Sequence, residues 1–150
     1  MNDYRKGAHT LFDCKYHLVW VTKYRYQVLR DAVGFRVREI AREVCARHNV
    51  QILKGHVSTD HVHMHVSIPP NIAVSKFMQY LKGKSSHRLQ NEFKHLKKRY
   101  WGQHLWARGF FVATTGTVSD EVIQKYIEGH EIRDEKDEFS VVGVNKPPTT

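Results

Sequence analysis

Hydrophobic and polar residues follow two different periods along this chain, one typical of strands and one typical of helices. These periods predict its secondary structure. The clearest strand is His61–Ile68, in which polar and apolar residues alternate without a break until Pro69 and Pro70 end it. Runs of β-branched and aromatic residues predict three further strands, at Tyr16–Thr22, Val50–Val57 and Phe110–Thr115. The chain therefore carries four predicted strands.

Other segments keep the helical period of 3.6 residues. Between Asp31 and His48, apolar residues recur every three or four positions among charged neighbours. A second helix is expected after Ser75 as N-cap, with one apolar face made of Phe77, Leu81, Leu89 and Phe93. A third is expected after Ser119 as N-cap, with an acidic first turn that complements the helix dipole. Residues 94–109 are predicted to form a loop with a short helical piece.

The order of these elements is β-α-β-β-α-β-α, which predicts an α+β fold. It is the ferredoxin-like (RRM-like) pattern, an antiparallel sheet of β-α-β-β-α-β order, with one extra C-terminal helix. Two helices cover one face of such a sheet, and the other face stays available for a ligand or a further helix. A length of 150 residues suits one domain over 1–150, with loose termini expected at 1–10 and 140–150.

Composition narrows the class of protein. The apolar runs are far shorter than the roughly 20 residues of a membrane span, and no charged-then-apolar signal peptide opens the chain. Cys14 and Cys45 form no metal-binding or disulfide spacing, which is typical of reduced thiols inside a cell. These features predict a cytoplasmic protein without a membrane anchor.

The charge points to a polyanionic partner. Twenty-four Lys and Arg against fifteen Asp and Glu give a net charge of +9. Between Lys76 and Arg108 lie nine basic residues and one acidic residue, interleaved with aromatic ones. Basic groups can neutralise phosphates while exposed aromatic rings stack on unpaired bases, a combination that suits single-stranded nucleic acid. The alternative is a solvated helix face above core aromatic residues.

The strand His61–Ile68 places His61, His63 and His65 on one face of the sheet. Neighbouring members are about 6.7 Å apart at Cα, close enough for two imidazoles to bind one ion, whereas the outer two are about 13 Å apart. A usable pair is therefore His61 with His63, or His63 with His65. Eleven histidines in 150 residues give roughly 0.8 His-x-His pairs by chance, so a solvent-facing row without function is the alternative.

The last predicted helix carries a second candidate pair. Tyr126 and His130 are spaced i, i+4 and are expected on the same helix face. A tyrosine beside a residue that can bind metal is what a metal-assisted phosphotyrosine mechanism requires. The alternative is that Tyr126 packs in the core and His130 interacts with the helix dipole, and Gly129 could end the helix and turn His130 away.

Several motifs agree in order and spacing over roughly residues 16–130. They are Leu18-Val-Trp-Val-Thr-Lys-Tyr-Arg25, Asp60-His-Val-His63 before an apolar strand and Pro69-Pro70, Val74-Ser-Lys-Phe77, Thr114-Thr-Gly116 and Lys125-Tyr-Ile-Glu128. Together they resemble the single-tyrosine HUH transposases (TnpA type) of the smallest, hairpin-ended bacterial and archaeal insertion sequences. Joint agreement of this kind is much more specific than a histidine pair or a tyrosine alone.

The resemblance implies a role for each candidate residue. His61 and His63 are the implied metal ligands and Tyr126 the implied nucleophile. His130 stands where this family commonly has Gln as the third ligand. The implied cofactor is a divalent metal, Mg²⁺ or Mn²⁺, with Zn²⁺ as a further candidate because three nitrogen ligands favour softer ions.

The resemblance also implies how the protein acts. It is expected to cut and rejoin single-stranded DNA through a 5′-phosphotyrosine link, to recognise hairpins at the ends of the element, and to work in a bacterial or archaeal cytoplasm. A homodimer is implied, in which the tyrosine helix of one subunit faces the histidine pair of the other. Lys84 and Arg88, in the basic stretch, are candidates for contacts to the DNA backbone.

Three other interpretations stay open at this point. One is a noncatalytic module that binds single-stranded nucleic acid, in which Tyr16, Trp20 and the histidine row only contact bases. Another is a zinc-dependent hydrolase that uses the three histidines and bound water, with the tyrosine as a bystander. The third is a domesticated relative that processes chromosomal palindromes.

Overall fold

A computed structural model of the chain describes residues 4–114 and 120–130. Its strands are β1 Arg5–Lys6, β2 Leu11–Phe12, β3 Lys15–Val21, β4 Gln51–Val57, β5 His61–Ser67 and β6 Phe111–Ala113. Its helices are α1 Asp31–Arg47, α2 Val74–Glu92, α3 Lys94–Arg99 and α4 Asp120–Glu128, with a 3₁₀ turn at Lys23–Arg25. All four predicted strands and all three predicted helices are present, and α3 is the short helical piece expected in residues 94–109.

Strands β3 to β6 form one four-stranded sheet in the order β4-β5-β3-β6. Each neighbouring pair is antiparallel. The prediction of an α+β fold with an antiparallel sheet is confirmed, and the strand order is consistent with the ferredoxin-like pattern. Because β5 is hydrogen-bonded on both sides, its side chains lie in the middle of the sheet.

One face of the sheet is covered by α1 and α2 and forms the main core. Alternate residues of β3 and β5 point to this face and are almost fully buried, namely Leu18, Trp20, Val62, Met64 and Val66. The predicted apolar positions of α1 are buried against them, as are most of those of α2: Val33, Val37, Ile40, Val44, Phe77, Leu81 and Leu89. Burial of each such side chain contributes about 1.5–3 kcal/mol, which fixes both helices on this face.

The predicted N-cap of α2 is wrong. The helix begins at Val74, its N-cap is Ala73, and no side chain caps its first turn. Ala73 is extended, with φ −72° and ψ 138°, and the chain enters the helix from the turn at Pro69 rather than from a capping hydroxyl. Ser75 therefore lies inside the first turn. The predicted N-cap of α4, Ser119, and the expected loose end at 140–150 lie outside the described residues.

A short hairpin of β1 and β2 precedes the sheet, partly within the stretch expected to be loose. Its anchor is Arg5, whose guanidinium donates to the carbonyl oxygen of Ser67 at 3.1 Å and to that of Asn49 at 2.9 Å. The same guanidinium lies 5.1 Å from the ring centroid of the buried Phe12. The hairpin is thus attached to the end of β5 and to the loop that precedes β4.

The second face of the sheet carries α4. Val19 and Val21 of β3 form a separate apolar cluster with Ile123 and Ile127 of α4, and Phe111 packs against it. The extra C-terminal helix expected from the sequence therefore lies on the sheet, opposite α1 and α2. Within residues 4–114 and 120–130, no helix combines the length and apolarity that crossing a bilayer requires.

Candidate active site

The histidine row of β5 lies on the face that carries α4. His61, His63 and His65 are half-buried, and they alternate with buried apolar residues that point to the main core, as predicted. Residues directly opposite each other in antiparallel strands point to the same face. Since Val21 is paired with His61 and Val19 with His63, the valines under α4 and the histidines share one surface.

His61 is oriented by the aspartate that precedes it. Its Nδ1 lies 2.8 Å from Oδ1 of Asp60, which leaves Nε2 available for a ligand. Asp60 is itself held, because Arg25 Nε lies 3.4 Å from its Oδ2 and Thr22 N donates to its carbonyl oxygen at 2.9 Å. Histidines that bind metals in proteins are commonly oriented by a carboxylate in this way.

His63 has a partner that the sequence did not reveal, His17 of β3. His17 is buried, its Nδ1 lies 3.2 Å from Nε2 of His63, and its ring stacks on His65 with centroids 4.1 Å apart. Burial, followed by the nearby histidines, lowers the pKa of His63. His63 is therefore neutral at physiological pH, the form in which imidazole binds metal. The period of two along β3 placed His17 on this face, but its contact with His63 depends on strand register.

Tyr126 and His130 lie together, as their i, i+4 spacing predicts. Their ring centroids are 4.7 Å apart, and His130 Nδ1 lies 3.0 Å from the carbonyl oxygen of Tyr126. The helix ends at Glu128, yet Gly129 does not turn His130 away. Burial raises the pKa of Tyr126 to about 12, so its phenol is protonated at neutral pH. His130 keeps Nε2 available for a ligand.

Within residues 4–114 and 120–130, no three His, Cys, Asp or Glu side chains are arranged to hold one metal ion. His130 therefore does not complete the His61–His63 pair inside a single chain. Two pairs of the predicted site residues lie on one sheet face, His61 and His63 on β5 and Tyr126 and His130 on and just after α4. The three-histidine metal site stays a prediction.

The two basic residues proposed for DNA contacts have different surroundings. Arg88 Nη1 lies 3.1 Å from Glu43 on α1, and its hydrogen bond lowers the pKa of that carboxyl group. Its Nε is also 4.0 Å from Glu92. Lys84 lies with its Nζ 5.6 Å from the ring centroid of Tyr80. The charge of Arg88 is thus largely compensated, whereas that of Lys84 is not paired with an acid in the described residues.

One contact assigned to the noncatalytic binding module is wrong. Trp20 is only 1% exposed and points into the main core, where it meets Trp106 edge to face with centroids 5.9 Å apart. An indole in that position packs under α1 and α2 and cannot stack on a base. Tyr16 is half-buried and packs against the same core.

Known proteins resemble this chain over most of its length. A family described as "Transposase IS200 like" matches residues 10–130. The transposase for insertion sequence element IS200 of Salmonella typhimurium strain LT2 is 42% identical over 136 residues, which span 91% of this chain and 88% of that protein. The ISDra2 transposase TnpA of Deinococcus radiodurans is 35% identical over 124 residues, 83% of this chain and 89% of the relative.

Solved structures agree with the fold. The crystal structure of a Deinococcus radiodurans R1 protein superposes with a TM-score of 0.76 at 34% identity, over 86% of this chain and 99% of that chain. A REP-associated tyrosine transposase bound to a REP hairpin has a TM-score of 0.53 at 15% identity, over 87% of this chain and 68% of its own. The second likeness concerns the fold alone.

Proposed function

The chain belongs to the family of IS200-like transposases, and we propose that it cuts and rejoins single-stranded DNA with Tyr126 as its nucleophile. The observation that carries this proposal is the common surface of Tyr126 and the histidine row. Tyr126 packs against Phe111, which is paired with Val19, and Val19 is paired with His63. The proposed nucleophile and the proposed metal ligands thus lie on one face of the sheet, which is the face that two chains would share in the homodimer proposed below.

The proposed reaction is a transfer of the phosphate from DNA to protein and back. The phenolic oxygen of Tyr126 attacks the scissile phosphorus, the bond from phosphorus to the 3′ oxygen breaks, and a 5′-phosphotyrosine and a free 3′-OH form. Net, the phenolic proton moves to the leaving 3′ oxygen. Rejoining reverses these steps, and no nucleotide cofactor is needed because the covalent link keeps the energy of the phosphodiester.

The proposed metal ligands are His61, His63 and His130. Each has one ring nitrogen engaged by a neighbour: Asp60 for His61, His17 for His63 and the carbonyl of Tyr126 for His130. The donor set is therefore three imidazoles with fixed orientation, which suits Mn²⁺ or Zn²⁺ and is less favourable for Mg²⁺. When bound, a divalent ion supplies Lewis-acid polarisation of the scissile phosphate.

We propose a homodimer in which each active site combines two chains. Tyr126 and His130 of one protomer would face His61 and His63 of its partner. This arrangement accounts for the finding that the described residues of one chain hold no three-ligand group. We propose that the DNA substrate carries a hairpin. The structural relative, a REP-associated tyrosine transposase, is bound to a REP hairpin in its own structure.

A labelled-DNA assay tests the nucleophile. The protein is incubated with a 5′- or 3′-labelled hairpin oligonucleotide and Mg²⁺ or Mn²⁺, and a denaturant-resistant protein–DNA adduct is sought on a gel. Tyr126→Phe should abolish the adduct, while Tyr80→Phe, which alters an exposed tyrosine of α2, should not. An undiminished adduct in Tyr126→Phe, or no adduct with any metal, contradicts the proposal. Cleavage without an adduct would instead favour the zinc-dependent hydrolase.

Mixing two inactive variants tests the shared site. Tyr126→Phe and His63→Ala subunits, coexpressed with different tags and purified as heterodimers, should regain activity in one of their two sites. That site takes Tyr126 from one subunit and His63 from the other. If each chain instead builds its own complete site, every site in the heterodimer carries one defect and no adduct forms.

A further inference from the structure

A basic groove runs beside α2, outside the face that carries Tyr126 and the histidine row. It has a volume of about 1270 Å³ and lies between one side of α2 and residues 102–109, and Lys23 and Lys97 also line it. None of the residues that line this groove is acidic. Its cationic and histidine side chains are Lys23, Lys82, Lys97, Arg108, His87 and His104.

The outer cations of the basic groove are free to meet a ligand. Lys97 and Arg108 are exposed, and within residues 4–114 and 120–130 neither forms an ion pair. In contrast, Arg36 and Arg88 are matched by Glu43 and Glu92 across α1 and α2. Uncompensated cations around a concave surface without acids indicate an anionic ligand.

The wall of the groove is held in place by polar contacts to α2. Lys82 donates to the carbonyl oxygens of Ala107 at 2.8 Å and Gly109 at 2.7 Å. Ser85 accepts from the indole nitrogen of Trp106 at 2.9 Å, and Ser86 accepts from the amide of Leu105 at 3.1 Å. The loop therefore has a defined shape, and the ammonium group of Lys82 serves this wall rather than a ligand.

An exposed indole borders the basic groove. Trp101 directly precedes Gly102, one of the lining residues, and is 87% exposed. Its φ of 56° lies in the left-handed region, which is costly for a bulky residue. An indole that is so largely exposed gains little from the core. It offers a flat surface on which an unpaired base can stack.

The loop that walls the groove also reaches the proposed active face. Ala107 packs against the cluster of Val19, Val21, Ile123 and Ile127 beneath α4, while its neighbour Arg108 lines the groove. A strand lying in the basic groove would therefore be delivered to the edge of the surface that carries Tyr126.

We propose that the basic groove binds the sugar-phosphate backbone of single-stranded DNA and that Trp101 stacks on one of its unpaired bases. This inference rests on the proposed function, because it names the surface that would guide the substrate to Tyr126. It differs from the sequence-based assignment, since Lys97, Arg108 and Trp101 replace Lys84 and Arg88 as the contact residues. Lys84 lies in a smaller pocket of about 500 Å³ with Tyr80 and Lys76.

Binding is measured without catalysis, by fluorescence anisotropy of a labelled single-stranded oligonucleotide in EDTA at several salt concentrations. The double variant Lys97→Gln/Arg108→Gln should bind roughly 10- to 30-fold more weakly at 0.1 M salt, with the logarithmic salt slope reduced by about 1.4. The matched control is Arg42→Gln/Arg47→Gln, which removes the same charge from exposed positions of α1 and should change binding less than twofold.

The stacking contact has its own pair of variants. Trp101→Ala should weaken binding at least fivefold, as expected when one base loses an aromatic platform. Phe35→Ala, which removes another exposed aromatic ring on α1, should leave binding unchanged. Circular dichroism melting of all variants checks that the exposed substitutions leave the fold intact.

Three results would overturn the assignment. The first is an equal loss of DNA affinity in the groove and control variants. The second is a polyglutamate peptide that competes for the protein as well as unlabelled DNA does, and the third is a loss of affinity confined to duplex DNA. Because the assay contains no metal and needs no cleavage, its outcome is independent of the adduct test. If no preparation of the protein forms an adduct, Tyr126 is rejected as the nucleophile, but the measured DNA affinity of the groove remains valid.

Discussion

Replacing Asp60 by Asn changes the charge behind His61 while it keeps the size of the side chain. Asp60 is 8% exposed, and its carboxylate contacts both His61 Nδ1 at 2.8 Å and Arg25 Nε at 3.4 Å. The amide oxygen of Asn can still accept from His61 Nδ1, but that bond then lacks the charged acceptor and is about half as strong. In the proposed metal site, His61 would therefore be a weaker and less well oriented ligand.

The expected magnitude follows from the same contacts. Loss of a residue that orients a metal ligand typically lowers metal affinity 10- to 100-fold, which corresponds to about 1.4–2.7 kcal/mol. The free energy of unfolding should fall less, by about 1 kcal/mol, since the backbone bond from Thr22 N to the carbonyl oxygen of Asp60 is untouched. The variant should therefore still fold, but it should bind metal poorly.

Isothermal titration of Mn²⁺ into the DNA-bound protein measures this effect, and the Mn²⁺ concentration needed for half-maximal adduct formation provides a second readout. Asp13→Asn is the matched control, because it removes an exposed carboxylate paired with Lys15 at 2.8 Å. If Asp60→Asn and Asp13→Asn bind Mn²⁺ equally well, Asp60 does not orient a metal ligand. If Asp60→Asn loses stability and affinity in proportion, its role is structural.

Four further predictions concern two glycines of the helices, the histidine cluster and Tyr126. Gly34→Ala should lower the free energy of unfolding in urea by about 1–3 kcal/mol, because the new Cβ would lie 2.9 Å from a backbone carbonyl oxygen. Gly83→Ala, with no atom within 4 Å, should instead stabilise α2 by up to about 1 kcal/mol. His17→Phe keeps a ring for stacking but removes the contact to His63, so Mn²⁺ affinity should fall about tenfold while the melting temperature changes little. Because burial raises the pKa of Tyr126 from 10.0 to about 12, its contribution to stability is complete below pH 10 and is lost as the pH rises towards 12. An ultraviolet titration of the wild type minus Tyr126→Phe should show this late ionisation, and a difference centred at pH 10 would contradict it.

The parts of the fold that local patterns determine were predictable from sequence. The alternation in β5 and the helical period of α1 each depend on residues within one element, and both elements were placed almost correctly. The start of α2 was not predictable in the same way, because the path of the chain out of Pro69, and not the hydroxyl of Ser75, sets it. The contact between His17 and His63 depends on the pairing of strands 46 residues apart.

The candidate site shows the same division. The residue types of Tyr126 and His130 indicate a nucleophile beside a possible metal ligand. Their proximity followed from the i, i+4 spacing and helix geometry alone. The basic groove could not be located from the sequence, because α2 and residues 102–109 meet through tertiary hydrogen bonds and core packing. The net charge predicted a polyanionic partner. Which basic residues remain unpaired depends on the tertiary structure, in which acidic residues such as Glu43 of α1 pair with Arg88.

β5 has consequences for how such a protein can change over time. Each of its side chains belongs to one of two layers, with Val62, Met64 and Val66 in the main core and the three histidines on the opposite surface. A mutation at one of these histidines leaves the volume of that core unchanged, so the surface proposed to bind metal can be altered with little effect on the packing of the core. A substitution along β5 can therefore change the side chains of one surface while the packing of the main core is kept.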